Sequence, residues 1–237
     1  MRAEWLRRVE EEYRSAAITQ NLTLWLMQVA ASPDLVRAGL RIVADELTHA
    51  ELSHRAYVAA GGEDEANIPR ETLQVPRRPN EPLEHDVTRV AVRVFCLGET
   101  VAVPLFKALR DGCTVPVARR VLDRVLRDEV RHRDFGWALL GWLLEQPNAE
   151  ILREIAAREL PGYFGRLRLS YGAGARAQDR IDDADRIWGL MPPAEYAAAV
   201  DRTLERQWVP RFARVGIDAR RAWDQSLGVT QVELRAK

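Results

Sequence analysis

Helical periodicity is the feature that most constrains the fold of this 237-residue chain. Apolar residues recur every three or four positions over long stretches, and the β-branched alternation that marks strands is missing. Hydrophobic residues make up 47% of the sequence, which is enough for a core and too many for a disordered chain. The sequence therefore predicts an all-α protein.

Capping residues and helix breakers divide the first part of the chain into four long helices. Ser32-Pro33-Asp34 is typical of a helix start, and Gly61-Gly62 is expected to end that helix. The next residues contain three prolines and no helical periodicity, so they indicate a long crossover between two antiparallel hairpins. The predicted helices span about residues 3–31, 32–60, 80–109 and 114–144.

Residues 147–237 are predicted to form a helical extension that packs on this bundle, which itself covers residues 1–146. A fifth helix should run to about residue 175, with a break at Gly172 and Gly174. Shorter helices should lie on either side of Pro192-Pro193 and of Pro210.

Charge and cysteine content restrict the possible partners and location. Thirty-five basic and thirty-five acidic residues cancel, which disfavours nucleic acid as a partner. The charge-free stretch 15–33 contains polar residues, so it indicates a buried helix and not a membrane span. Two cysteines, Cys96 and Cys113, and the lack of a signal-peptide pattern favour the cytoplasm.

A repeated motif carries the chemistry. Asp45-Glu46-Leu47-Thr48-His49 lies on the second predicted helix, and Asp128-Glu129-Val130-Arg131-His132 lies on the fourth. In each copy the glutamate and the histidine are three residues apart, so they share one helical face and can bind one metal ion. Two copies, each inside an apolar helix, make a chance match improbable.

The other two helices should each add a glutamate at the same depth. Antiparallel residues at equal depth straddle their connecting turn symmetrically, and Glu99 pairs in this way with His132. On the first helix, Glu12 fits the apolar stripe best, although Glu10 and Glu11 remain close competitors.

With these four segments in order, residues 5–145 resemble the ferritin-like di-iron carboxylate superfamily. The resemblance implies a four-helix bundle that holds two iron ions, with Glu46 and Glu129 as bridges. It also implies that Asp45 and Asp128 hold the ligand imidazoles in the correct tautomer. The implied ligand sets are Glu12, Glu46 and His49 for one ion, and Glu99, Glu129 and His132 for the other.

Independently of the resemblance, electrostatics also indicates bound metal ions. Four carboxylates converging in a helical core are strongly unfavourable unless cations compensate them. Carboxylate and imidazole ligands suit iron or manganese. The competing interpretation is that these residues are exposed charges on helix surfaces.

The resemblance implies an oxidase or oxygenase that uses dioxygen as co-substrate and oxidises a small organic molecule. An external electron donor is expected, because the sequence contains no flavin, nicotinamide or rubredoxin motif. Pro104 cannot donate to the carbonyl of Thr100, which predicts a bulge just after Glu99 and a substrate near Cys96, Glu99 and Pro104. The long extension favours a homodimer. The alternatives are a ferritin-like ferroxidase or iron-storage protein and a metal-free scaffold.

Overall fold

The computed structural model describes residues 1–171 and 181–228. Within these ranges the regular structure is entirely helical, which confirms the all-α prediction. None of the helices in these ranges is both long enough and apolar enough to cross a lipid bilayer. Four long helical segments pack side by side as a bundle, and further helices cover one part of it.

The first two helices form a hairpin. Helix α1 spans Arg2–Gln28 and α2 spans Pro33–Ala59, and the two pack along their lengths. As the capping signal predicted, the Ser32 hydroxyl accepts a hydrogen bond from the backbone N–H of Leu35 at 3.4 Å. The first helix ends earlier than expected, because Ala30 adopts a left-handed conformation with φ of 54°.

A long connection links α2 to the next helical segment, as the three prolines predicted. Its only regular element in the described chain is a short 3₁₀ turn over Arg70–Leu73, which packs against α1. The backbone N–H of Asn67 donates to a carboxylate oxygen of Glu10 at 3.1 Å. The crossover is therefore attached to the outer surface of the first helix.

The third long segment is continuous but not uniform. It comprises α3 over Leu83–Val90, a wider π-helical stretch over Ala91–Glu99, and α4 over Thr100–Gly112. The predicted bulge after Glu99 is wrong, because the irregular stretch precedes this residue and Pro104 lies within α4. The indole N–H of Trp208 donates to the carbonyl of Cys96 at 3.0 Å, so a contact from the extension stabilises the π-helical stretch.

Helix α5, Pro116–Leu143, packs against α2, α4 and the π-helical stretch. A Cβ atom on Gly136 would lie 2.4 Å from the Phe95 side chain, so this glycine permits close approach of the two segments. Apolar clusters occupy both ends of the bundle, and a polar buried layer lies between them. That layer contains the residues of the repeated motif.

The remaining chain packs on the bundle through a shared apolar core that includes Phe164, Trp208 and Phe212. The predicted break at Gly172 and Gly174 lies outside the described residues. The predicted helix boundary at Pro210 is wrong, because a π-helical turn at Leu204–Trp208 joins the flanking helices and the helical run continues. The helices of this part are α6 (Ala149–Tyr171), α7 (Asp183–Arg186), α8 (Pro193–Thr203), α9 (Val209–Ala213) and α10 (Ala219–Gln225).

Candidate metal centre

The bundle brings together the six side chains that the sequence analysis selected, and all six are buried. They come from four helical segments: α1, α2, the end of the π-helical stretch, and α5. The competing interpretation, exposed charges on helix surfaces, is therefore wrong. The six residues are Glu12, Glu46, His49, Glu99, Glu129 and His132.

Their ligand atoms form two overlapping groups, and within each group the atoms lie within 4.8 Å of one another. One group contains Glu12, Glu46, His49 and Glu129. The other contains Glu46, Glu99 and His132. Glu46 belongs to both groups, so its carboxylate could contribute a ligand atom to each of them.

The two imidazoles face each other with ring centroids 5.7 Å apart. Nδ1 of His49 lies 3.4 Å from Oε2 of Glu46, and Nδ1 of His132 lies 3.5 Å from Oε1 of Glu46. Glu129 also faces both rings, with Oε1 3.9 Å from His49 Nδ1 and Oε2 3.8 Å from His132 Nδ1. Such separations suit atoms that share a cation at about 2.1 Å each.

Unsatisfied polar atoms mark the centre of the cluster. Of the nine buried side-chain atoms in the described part of the chain that have no hydrogen-bond partner, four lie in this cluster: Nδ1 of His49 and of His132, and Oε2 of Glu46 and of Glu129. Buried polar atoms are normally paired, and each unpaired one is costly. All four belong to the proposed ligands, so the donor set fits divalent cations.

The choice among the three adjacent glutamates of α1 is decided by their surroundings. Glu10 accepts the hydrogen bond from the crossover, and Glu11 is exposed and lies 2.8 Å from Arg14. Only Glu12 of the three is buried, with a carboxylate oxygen 3.6 Å from Nδ1 of His49.

Each aspartate of the repeated motif contacts the histidine of the other copy. Nε2 of His49 lies 3.1 Å from Oδ2 of Asp128, and Nε2 of His132 lies 3.4 Å from Oδ2 of Asp45. With Nε2 protonated and bonded to a carboxylate, Nδ1 is left free to bind a metal. The pairing across the two helices could not be read from either motif alone.

Two arginines of α5 hold these aspartates and were missed in the sequence analysis. Arg131 donates to Asp128 at 2.6 Å and to Asp45 at 3.0 Å. Arg124 donates to both aspartates as well, at 3.3 Å for Asp45. Their spacing in the sequence could have indicated these contacts, because the positions four residues before and three residues after Asp128 lie on the same helical face as Asp128. Another missed contact is the hydrogen bond from Ser15 to Oε1 of Glu46, at 2.8 Å.

The protonation of the cluster reflects its crowded carboxylates. Burial, with the nearby Glu12 and Glu99, raises the pKa of Glu46 to about 8. Burial and Glu99 also raise the pKa of Glu129 well above its usual value. Burial opposes the charged form of His49, but the carboxylates of Glu12 and Glu46 outweigh it and raise its pKa to about 11. Without metal, the cluster therefore retains protons that metal binding would release.

Stability of the metal-free protein should fall as the pH rises. A carboxyl group whose pKa rises from 4.5 to about 8 on folding stabilises the folded state fully below pH 4.5, and this contribution is lost through about pH 8. His49 acts in the same direction at higher pH. We expect the Tm, measured by calorimetry with a chelator, to fall between about pH 6 and about pH 9, and to fall less in a Glu46→Gln variant. Equal slopes in the two proteins would contradict this assignment.

A cavity of about 530 Å³ leads to the cluster from the surface between α1 and α4. Four glutamates line its inner end: Glu12, Glu46, Glu99 and Glu129. Charged residues of α1 also line it, and the C-terminal end of α6 and the first turn of α8 cover its outer part. Cys96 does not line it, because this side chain is fully buried and its Sγ contacts the carbonyl of Gly136 at 3.5 Å. Of the residues expected beside a substrate, Cys96, Glu99 and Pro104, only Glu99 lines this cavity.

Comparison of the chain with models of protein families, with curated protein sequences and with solved structures gave no match.

Proposed function

We propose that this protein is a non-haem di-iron oxidase or oxygenase with a ferritin-like bundle, and that it oxidises a small organic molecule. The observation that carries the proposal is the buried set of four carboxylates and two imidazoles, whose unpaired ligand atoms converge beside a cavity open to the surface. A cluster that served only packing would have no reason to leave these atoms unpaired.

The residues present match the requirements of two divalent ions. Two such ions offset the four negative charges of Glu12, Glu46, Glu99 and Glu129, and the mixed oxygen and nitrogen ligands suit iron, with manganese as the second candidate. Reduced iron at such a centre supplies the ability to activate dioxygen.

The protein contributes orientation and access. The aspartates fix the two imidazoles, and Ser15 orients Glu46 by donating to one of its oxygens. Apolar clusters flank the layer on both sides, so access to it is through the cavity. The electrons for turnover would come from an external donor. We propose a cytoplasmic location, with which the two buried free thiols, Cys96 and Cys113, are compatible.

Reaction with dioxygen tests the proposal. We expect the iron-loaded, reduced protein to consume dioxygen rapidly on mixing, and an added substrate to gain oxygen or lose hydrogen, as detected by mass spectrometry. A Glu99→Ala variant, in which the second ligand group is incomplete, should react much more slowly. Formation of only ferric mineral, with no organic product from any compound tested, would favour a ferroxidase instead.

The oligomeric state distinguishes an oxygenase from the main alternative, an iron-storage protein. The extension covers apolar surface on α3 and α4 that a storage shell would need for contacts between subunits. We expect light scattering after size exclusion to give a small oligomer, with a homodimer as the specific prediction. A closed shell of many chains that mineralises iron would support storage.

A further inference from the structure

A row of arginines follows the outer side of α5. Spacings of four, three and four residues place them on one side of the helix, over a length of about 17 Å at 1.5 Å per residue. Two of them hold the buried aspartates of the repeated motif and are partly exposed. The other two, Arg120 and Arg127, are exposed and have no acidic partner in the part of the chain that the structure describes. The row consists of Arg120, Arg124, Arg127 and Arg131.

Helix α2 extends this basic surface. It runs antiparallel to α5, as the two crossed contacts between aspartate and histidine require. Arg41 lies one turn before Asp45, on the side of α2 that meets α5, and Arg55 follows fourteen residues later, close to four turns along the same side. Both arginines are exposed, and neither has an acidic partner among the described residues. These two residues and the row on α5 together form the arginine face.

Positive charge prevails on the arginine face, although the whole chain is neutral. Its six arginines exceed the acidic groups around them, since the two buried aspartates offset only two of them. Glu51 is an exposed acid of α2, and Asp134 of α5 already pairs with Arg133 at 2.8 Å. The chain contains 35 basic and 35 acidic residues, so the face is a local concentration of charge. Such a patch attracts and orients an acidic partner.

The arginine face lies over the histidine side of the metal centre. Arg131 donates to Asp45, and Asp45 contacts Nε2 of His132, so two polar contacts connect the surface with a ligand imidazole. The equivalent connection to the other imidazole runs through Arg124, Asp128 and His49. Among the described residues, none of the arginine face lines the cavity, which opens between α1 and α4. A partner on this face would therefore approach the centre without closing the cavity.

We infer that the arginine face binds the external electron donor, and that this donor is a small one-electron carrier protein with an acidic surface. The inference rests on the proposed function, because only a redox centre needs such a donor. Each encounter passes one electron from the reduced carrier, so two encounters supply the two electrons that convert two ferric ions to ferrous ions. Contacts steered by charge suit this partner, since it must bind and leave in every turnover.

A nucleic acid is the other class of acidic partner. The neutral chain offers no wide positive field along which a phosphate backbone could lie. The polar contacts that connect the arginine face with both ligand histidines would also serve no purpose in binding nucleic acid. Both observations favour a redox protein.

Titration with an acidic [2Fe–2S] ferredoxin tests the inference. Binding is measured by calorimetry with metal-free protein and with protein loaded with Mn²⁺. We expect the double variant Arg120→Glu and Arg127→Glu to raise the Kd at least about tenfold, and added salt to weaken binding by the original protein. The double variant should load metal normally, because neither arginine contacts a ligand or its aspartate within the described chain. The control is Arg202→Glu, the same charge change at an exposed position on α8.

Electron transfer provides a second measurement. In iron-loaded protein, we expect reduced ferredoxin to reduce the centre at least about tenfold more slowly in the double variant than in the original protein. Dithionite, a small reductant that needs no docking surface, should reduce both proteins at similar rates.

The outcomes separate this inference from the proposed function. Absence of ferredoxin binding, unchanged binding in the double variant, or an equal loss in Arg202→Glu would overturn the inference even if two metals bind. Tighter binding of a duplex RNA than of ferredoxin through Arg120 and Arg127 would overturn it as well. Ferredoxin binding that depends on these two arginines, in a protein that takes up no metal, would support an interface for an acidic carrier and overturn the di-iron function.

Discussion

We expect Glu46→Ala to lower metal loading from about two ions per chain to near zero, because the two ligand groups share this carboxylate. Its Oε2 lies 3.4 Å from the ligand nitrogen of His49, and its Oε1 lies 3.5 Å from that of His132. No other carboxylate occurs in both groups. Metal content is measured by elemental analysis after anaerobic loading with ferrous iron and removal of free metal.

Two further variants make this expectation specific. Glu12→Ala removes a member of one group only, so it should leave about one ion per chain at the group of Glu46, Glu99 and His132. Glu51→Ala, an exposed glutamate on the same helix as Glu46, should leave loading unchanged. Full loading of the Glu46→Ala protein would show that the cluster is not the metal site.

The composition of this cluster could be predicted because its determinants are local. The spacing of Glu46 and His49 places them on one face of α2 in any α-helix, whatever the rest of the chain does. Glu99 followed from the depth of His132 and the position of the turn between their helices. The structure brings both together as expected, since α4 and α5 are joined by only a few residues.

Other features depended on contacts between distant parts of the chain. Glu10, a close competitor of Glu12 in the sequence, accepts a hydrogen bond from the crossover at Asn67. In the π-helical stretch that ends at Glu99, the carbonyl of Cys96 accepts a hydrogen bond from Trp208, which lies 112 residues away in the sequence. Helical periodicity in a sequence carries no signal for such contacts, so Pro104 was expected to cause a bulge just after Glu99 instead.

The environment of Arg8 illustrates the same limit. In the sequence it is one of several arginines on a helix of mixed character, and its neighbours at four residues are acidic. It is buried where it donates a hydrogen bond to the carbonyl of Gly189, which belongs to the extension. Only the tertiary structure distinguishes it from a solvated side chain.

The largest effect outside the ligands themselves is expected for the aspartates that contact the histidines. Asp128→Asn should lower the affinity for metal at His49 by about 10- to 100-fold, and Asp45→Asn should lower the affinity at His132 by a similar factor. The reason is that a neutral amide is a poorer acceptor for the imidazole N–H and stabilises the required tautomer less well. Each substitution thus acts on the histidine of the opposite motif.

Single-site backgrounds allow this crossed effect to be measured. In a Glu99→Ala protein the group of His49 remains, and there we expect Asp128→Asn to lower Mn²⁺ affinity in calorimetric titrations while Asp45→Asn changes it little. In a Glu12→Ala protein the group of His132 remains, and the order should reverse.

Arg131 and Arg124 contact both aspartates, so a purely electrostatic role for the carboxylates would produce equal losses in both backgrounds. The control is Asp134→Asn, an exposed aspartate of α5 that pairs with Arg133 and contacts neither histidine within the described chain. The crossed arrangement would be refuted if each aspartate substitution lowered Mn²⁺ affinity in the background that keeps the histidine of its own motif. A crossed pattern, by contrast, requires that α2 and α5 be held in one register, since a shift of either helix by one turn would separate each carboxylate from its imidazole.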